Sequence, residues 1–241
     1  AMLMRQAHDA DSSCSLITPD RQLARRVTSE LKRWDIHVDD SAGEPLAGTQ
    51  QGIFFRLAGD VCAPAARAHD VVALLGHSLV AADLVAASDT RSLAKKLEIA
   101  LFRQVPGGHQ LRGIADRMSH ARKLAQDAFA HPLVRDISPE QWSFLEEFAE
   151  QIEKAMKPLL DLTATDNDNT LAGLLHAHIT VAEALCGGAS GVPDKLWTGE
   201  AGAALSDTLR ELLDHAATAP KMGFAEYCSF IGDTLRAVPV R

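Results

Sequence analysis

None of the 16 glycines is followed by lysine, so the chain holds no GxxxxGK[ST] loop to cradle nucleotide phosphates. It contains no GxSxG nucleophile elbow and no HExxH zinc helix. Cys14, Cys62, Cys186 and Cys228 lie far apart with no CxxC pair, which argues against a disulfide or zinc framework and for scattered reduced thiols. No apolar run approaches the roughly 18–20 residues of a membrane span. The first ten residues include Arg5, His8 and Asp9 without an apolar stretch, so no secretory signal is expected there and a cytoplasmic location is. Ala1 ahead of Met2 reads as a cloning remnant, and the natural chain is expected to begin upstream. Aromatics are scarce at 5 %, and the net charge is −8. A protein that grips nucleic acid over its whole surface is usually basic, so any such contact must be local.

What is present is helical patterning. Aliphatic side chains recur at helical spacing through most of the chain: Ile53, Phe54, Leu57 and Val61; Leu93, Leu97 and Leu101, ended by PGG at 106–108; Leu111, Ile114, Met118, Ala121 and Ala125. Ser138-Pro139-Glu140-Gln141 spells a capping box with proline at the first helical position. It opens a long helix carrying Trp142, Leu145, Phe148, Ile152, Met156 and Leu159 on one side. A polar break over 163–169 precedes a stripe of Leu171, Leu174, Leu175, His178, Ala182 and Leu185, which stops at Gly187-Gly188. Two more helices fit residues 200–215 and 224–235. The start differs. Residues 15–18 read as a short strand, Thr18 and Pro19 as a helix start, and Leu23, Val27, Leu31 and Trp34 as a helical stripe. Ile36 and Val38 alternate like a half-buried strand, and DDSAG at 39–43 reads as a turn in which Gly43 takes a positive φ. The expectation is a mainly α protein: a small β-α-β unit over 1–46, followed by a helical bundle over 47–241.

Three patterns invite chemistry. Pro19-Asp20 followed by Glu30-Leu31-Lys32 matches the PD-(D/E)xK nuclease spelling, but Asp20 and Glu30 on one helix stand about 15 Å apart, too far to share an ion. Asp166-Asn167-Asp168-Asn169 suggests a calcium loop, yet Leu171 and Ala177 occupy the positions where an EF-hand needs glycine and a bidentate carboxylate. His176 and His178 point about 200° apart on a helix and cannot chelate one metal; His178 is expected in the core with a local partner. No catalytic, cofactor or metal residue is therefore expected in these 241 residues.

One charge feature remains. Residues 90–135 hold nine basic side chains against three acidic ones, a surplus of +6 in a chain of −8, so the remainder carries −14. Arg91, Lys95, Lys96, Arg103, Arg112, Arg117, Arg122 and Lys123 are the candidates for DNA contact. They form either a solvated helix face or a surface turned to phosphates.

Residues 17–27 (ITPDRQLARRV) and 34–46 (WDIHVDDSAGEPL) resemble the AddB family of alphaproteobacteria. So do LLGHSL at 74–79, where Ser78 replaces the family's proline, LEIALFR at 97–103, LRG at 111–113, LWTGEAG at 196–202, and the end from Glu226 to Val238. The similarity runs over about residues 15–240. It implies a piece of a helicase-like subunit that works with AddA in an ATP-dependent complex. That complex unwinds and resects double-strand breaks for recombinational DNA repair. The opening unit would begin the second RecA-like domain, and the helical body would be the subdomain inserted into it. The family's ATP and Mg site would lie upstream, and its exonuclease motif and iron–sulfur cysteines downstream; none of them maps onto these residues. AddA and DNA ends are the implied partners, with no membrane. Two alternatives stay open: a helical scaffold contacting AddA alone, and an unrelated helical small-molecule binder.

Overall fold

Ser138 Oγ accepts from the Gln141 N–H and Gln141 Oε1 from the Ser138 N–H, each at 3.3 Å, in the computed structural model of the chain. This reciprocal cap, with Pro139 behind it, starts the longest helix of a mainly α protein. The structure describes residues 1–81, 90–103, 105, 110–126, 132–163, 168–188 and 191–240. The stop at 106–108 and most of the polar break at 163–169 lie outside them.

The chain divides into two units, Ala1–Gly43 and Glu44–Val240. In the second, β1 (Glu44–Pro45) leads into α3 (Gln50–Asp60) and α4 (Ala68–Leu75). Then come α5 (Thr90–Leu97), prolonged by a π-helical turn at Glu98–Phe102, α6 (Ile114–Leu124) and α7 (Pro132–Arg135). α8 (Pro139–Leu162), α9 (Leu171–Gly187), α10 (Asp194–Trp197), α11 (Gly199–His215), α12 (Phe224–Ala237) and β2 (Pro239–Val240) complete it. α8 buries the stripe that its periodicity requires, from Trp142 to Leu160, against α6 and α9. α9 buries Leu174, Leu175, His178, Val181, Ala182 and Leu185 among others against α3, α8, α11 and α12, and leaves Gly173, His176, Thr180 and Ala184 exposed on its outer face. It is the centre of the body. β1 and β2 pair antiparallel, Glu44 with Val240 and Pro45 with Pro239, and the Leu46 N–H donates to the Val238 carbonyl at 2.8 Å. The first and last strands of the body therefore lie side by side at a neck. No helix among the described residues is long and apolar enough to cross a membrane.

The first unit departs from the expected β-α-β. It has α1 (Met2–Asp9) and α2 (Arg21–Lys32), and neither 15–18 nor 36–38 belongs to a strand. Two strands without a third are marginal, and nothing else in the unit offers a ladder. The helix start also shifts: Asp20, not Thr18, is the N-cap, accepting from Gln22 N at 2.9 Å and Leu23 N at 3.1 Å. The turn at 39–43 is as read, with Gly43 at φ +65°. Its fastening was not foreseen. Arg21 donates to both Asp40 carboxylate oxygens, at 3.0 and 2.8 Å, and to the Gly43 carbonyl at 2.8 Å. That guanidinium holds the Asp40 carboxyl below its ordinary pKa.

The polar exception at the centre of the body is His178, 1 % exposed. Its Nε2 lies 2.6 Å from the Phe55 carbonyl, which can only accept, so Nε2 carries the proton. Nδ1, at 2.9 Å, then accepts from the Tyr227 hydroxyl. The imidazole stacks on Phe55 at 3.8 Å between ring centroids. One neutral side chain thus ties α9 to α3 and α12. Gly59 makes the approach possible, since a Cβ there would stand 2.9 Å from His178 Cε1.

Two predictions follow from this node. Burial pushes the His178 pKa down to about 4, from an ordinary 6.5. The unfolded chain then takes up the proton first as pH falls. Stability should drop between pH 6.5 and 4, by about 3 kcal/mol for this group. His77, also pushed down by burial, adds a slope of the same sign. Urea midpoints from pH 7 to 4 should accordingly lose the larger part of their slope in His178→Gln; an unchanged slope would refute the assignment. Gly59→Ala should lower stability by about 1–3 kcal/mol, as overpacking of a rigid core does, read as a fall in Tm.

Candidate nucleic-acid interface

α5 buries Leu93, Ala94 and Leu97, and its π-helical extension buries Ala100 and Leu101. α6 buries Ile114, Met118 and Ala121. Both inner faces are those expected from periodicity, which leaves the basic residues of the two helices outside the core. They then divide into two sets.

Four of the eight candidate cations have partners within the fold. Arg103 bonds back to Glu98 Oε1 from Nη2 at 2.6 Å and from Nε at 3.1 Å, a five-residue reach that the π turn permits. Arg112 donates to the Leu160 carbonyl and stands 3.9 Å from Asp161. Arg117 donates to the Gln110 carbonyl; partial burial lowers its pKa, while Glu153 and Asp116 act in the opposite sense. Arg122 pairs with Glu146 at 2.6 Å, both side chains being about one-third exposed or less. The arginines are thus fastened to α8, to the loop before α6 or to their own helix. Periodicity had left Arg103, Arg112, Arg117 and Arg122 turned to solvent; it could not show the carboxylates and carbonyls of distant sequence.

The second set is Arg91, Lys95, Lys96 and Lys123. Arg91, Lys95 and Lys123 are exposed and Lys96 is half-buried. None of the four forms an ion pair among the described residues. Arg91 and Lys95 are one helical turn apart, about 6 Å along α5. Lys123 lies in the last turn of α6, where a cation complements the helix dipole.

The residue that organises this region is one that sequence reading missed. α6 begins at Gly113, held at φ +71°, and has no side-chain cap of its own. Glu153 of α8 supplies it, accepting from Gly113 N at 2.7 Å and Ala115 N at 3.2 Å. A carboxylate at a helix N-terminus is also favoured by the dipole. The only available signal was its place on α8, three residues before Met156 at the edge of the apolar stripe, which does not single it out.

The remaining patterns take structural roles. Asp20 caps α2, and Glu30 pairs with Arg33 at 3.2 Å. Asp168 pairs with Lys221 at 2.5 Å; Asp166 and Asn167 lie outside the described residues. His176 is exposed while His178 is buried. The four cysteines are free thiols, and burial raises Cys62 and pushes Cys228 up to about 12, far from a reactive thiolate. Among the described residues no three His, Cys, Asp or Glu side chains converge as a metal ion would require.

No family model, curated protein or solved structure matches the chain.

Glu153→Ala should cost about 1–2 kcal/mol through loss of the α6 cap, seen as a lower denaturation midpoint. Arg112→Glu with Arg117→Glu should also destabilise, because it sets carboxylates beside Asp161 and Glu153. A double variant as stable as the parent would show that these arginines are not fastened as described.

Proposed function

We propose that the chain is a non-catalytic module of an AddB-type subunit, within an ATP-dependent helicase–exonuclease that processes double-strand breaks in the cytoplasm. ATP, Mg and any iron–sulfur cluster belong to other parts of that complex. The helical body is a subdomain inserted into a RecA-like domain that begins with Ala1–Gly43, and it meets the phosphate backbone of DNA through Arg91, Lys95, Lys96 and Lys123.

The observation that carries this reading is the neck. Because Glu44–Pro45 pairs with Pro239–Val240, the body departs from and returns to one point of the chain, as an inserted subdomain must. The AddB resemblance calls for that layout between the DDSAG turn and the final segment. The four unpaired cations support a local DNA contact on a chain of net charge −8. With the remaining surface acidic, affinity should be weak and without sequence preference.

The test is binding of a short duplex to the 241-residue chain across a salt series. Each phosphate neutralised contributes about 0.9 to the slope of log affinity against log salt. Arg91→Glu, Lys95→Glu, Lys96→Glu and Lys123→Glu together should flatten that slope by about 2 or more while leaving Tm within a few degrees. A slope unaffected by the four changes rules out this face. Binding to AddA that persists with no DNA affinity assigns the module to the scaffold reading instead. That alternative is favoured by one observation: half of the eight cations are occupied inside the fold.

A further inference from the structure

Of the four arginines with partners inside the fold, Arg103 is the most loosely committed. Its side chain is 69 % exposed, against 35 % for Arg122. Arg122 joins α6 to α8 through Glu146, and Arg112 reaches the Leu160 carbonyl of α8. Arg103 meets only Glu98 of its own helix, so its release would part no two elements. The pair exists because of the π turn. In an α-helix a residue five places on points about 140° away from the first. At Glu98–Phe102 the helix widens, and the Arg103 N–H donates to the Glu98 carbonyl at 3.2 Å. The guanidinium thereby comes round to the carboxylate, and its Nη2 and Nε both donate to Oε1. Single π turns inside helices are frequently found at functional sites.

Glu98 also lies at a telling place on α5. Arg91, Lys95 and Glu98 follow one another at i, i+4 and i+7, so they share one face of the helix. Arg91 and Lys95 form no ion pair among the described residues. The third position of their stripe carries a carboxylate, and it holds a guanidinium as a phosphate oxygen would. Helix stability does not call for it, because a carboxylate near a helix C-terminus opposes the dipole. Exposed ion pairs are weak, so a polyanion laid along Arg91 and Lys95 competes with Glu98 for Arg103. We propose that Glu98 is a built-in limit on the affinity of this face for polyanions. Its carboxylate stands where a phosphate would, and keeps Arg103 from acting as a further cation beside Arg91 and Lys95. For the identity of the polyanion this rests on the DNA reading.

The experiment measures binding of the 241-residue chain to a short duplex and to heparin, a polyanion without bases, across a salt series. Glu98→Gln should bind both more tightly. On the duplex the gain should be about eightfold near 0.1 M salt and should vanish near 1 M, since one further phosphate neutralised adds about 0.9 to the slope. Adding Arg103→Gln should return affinity and slope to those of the parent. Glu211→Gln, which removes an exposed carboxylate from α11, should stay within about twofold of the parent, because screening confines the effect of a distant charge. Glu98→Gln binding no more tightly than Glu211→Gln would overturn the proposal. So would a gain that survives Arg103→Gln. If heparin shows the gain while no variant binds the duplex, the DNA reading falls and the role of Glu98 stands. If the duplex slope answers to Arg91, Lys95, Lys96 and Lys123 but not to Glu98, the reverse holds.

Discussion

A neutral imidazole at the centre of the body governs much of what surrounds it. His178 sits on the helix that touches most of the others, and both ring nitrogens have partners, one on α3 and one on α12. In a low-dielectric interior such a node holds helices in one register only while every polar atom is matched. The bond from Nε2 to the Phe55 carbonyl fixes the tautomer, the tautomer makes Nδ1 an acceptor, and the Tyr227 hydroxyl completes the chain of donors. Burial keeps Tyr227 well above its ordinary pKa, so it stays a donor. Gly59 is the steric counterpart, leaving room for the ring.

The charge pattern is decided one layer further out. α6 has no N-cap of its own and is attached to α8 at its start by Glu153 and along its side by Arg122 and Glu146. Arg112 and Arg117 lie around that same carboxylate. A surplus of positive charge in one stretch of sequence is thereby split into a structural half and a free half. The free half, on α5 and the end of α6, is what remains for a partner to read. If DNA is that partner, as proposed, so few cations would suit a module that contributes to a larger grip rather than one that binds alone.

The two units meet the demands of stability differently. The body has a continuous core from Leu46 to Leu235, and its neck returns the chain to its starting point. The opening unit has a capped helix and a stapled turn but hardly any core. Its order is set by the Asp20 cap and by the reach of Arg21 across the unit to Asp40 and Gly43, and Leu16, Ile17 and Leu23 stay exposed.

Spacing and capping chemistry determined the longer helices of the body and their inner faces: the capping box at Ser138, the stripe from Trp142 to Leu159, the buried side of α5, and the burial of His178 all follow from them, whereas α1, α7 and α10 were not legible in this way. The positive φ of Gly43 was legible because few other residues tolerate it. Everything that depended on distant pairing was not. Glu153 capping α6, Arg122 meeting Glu146, and Arg112 reaching the Leu160 carbonyl join residues 24 to 48 positions apart, and their spacing within one element carries no trace of it. The strands expected at 15–18 and 36–38 failed for a related reason: a strand exists only when a neighbour accepts its hydrogen bonds, and that neighbour is not written in the strand's own sequence. Which cations stay free for a ligand was likewise a decision of tertiary packing, because a charge is neutralised by whatever the fold sets beside it.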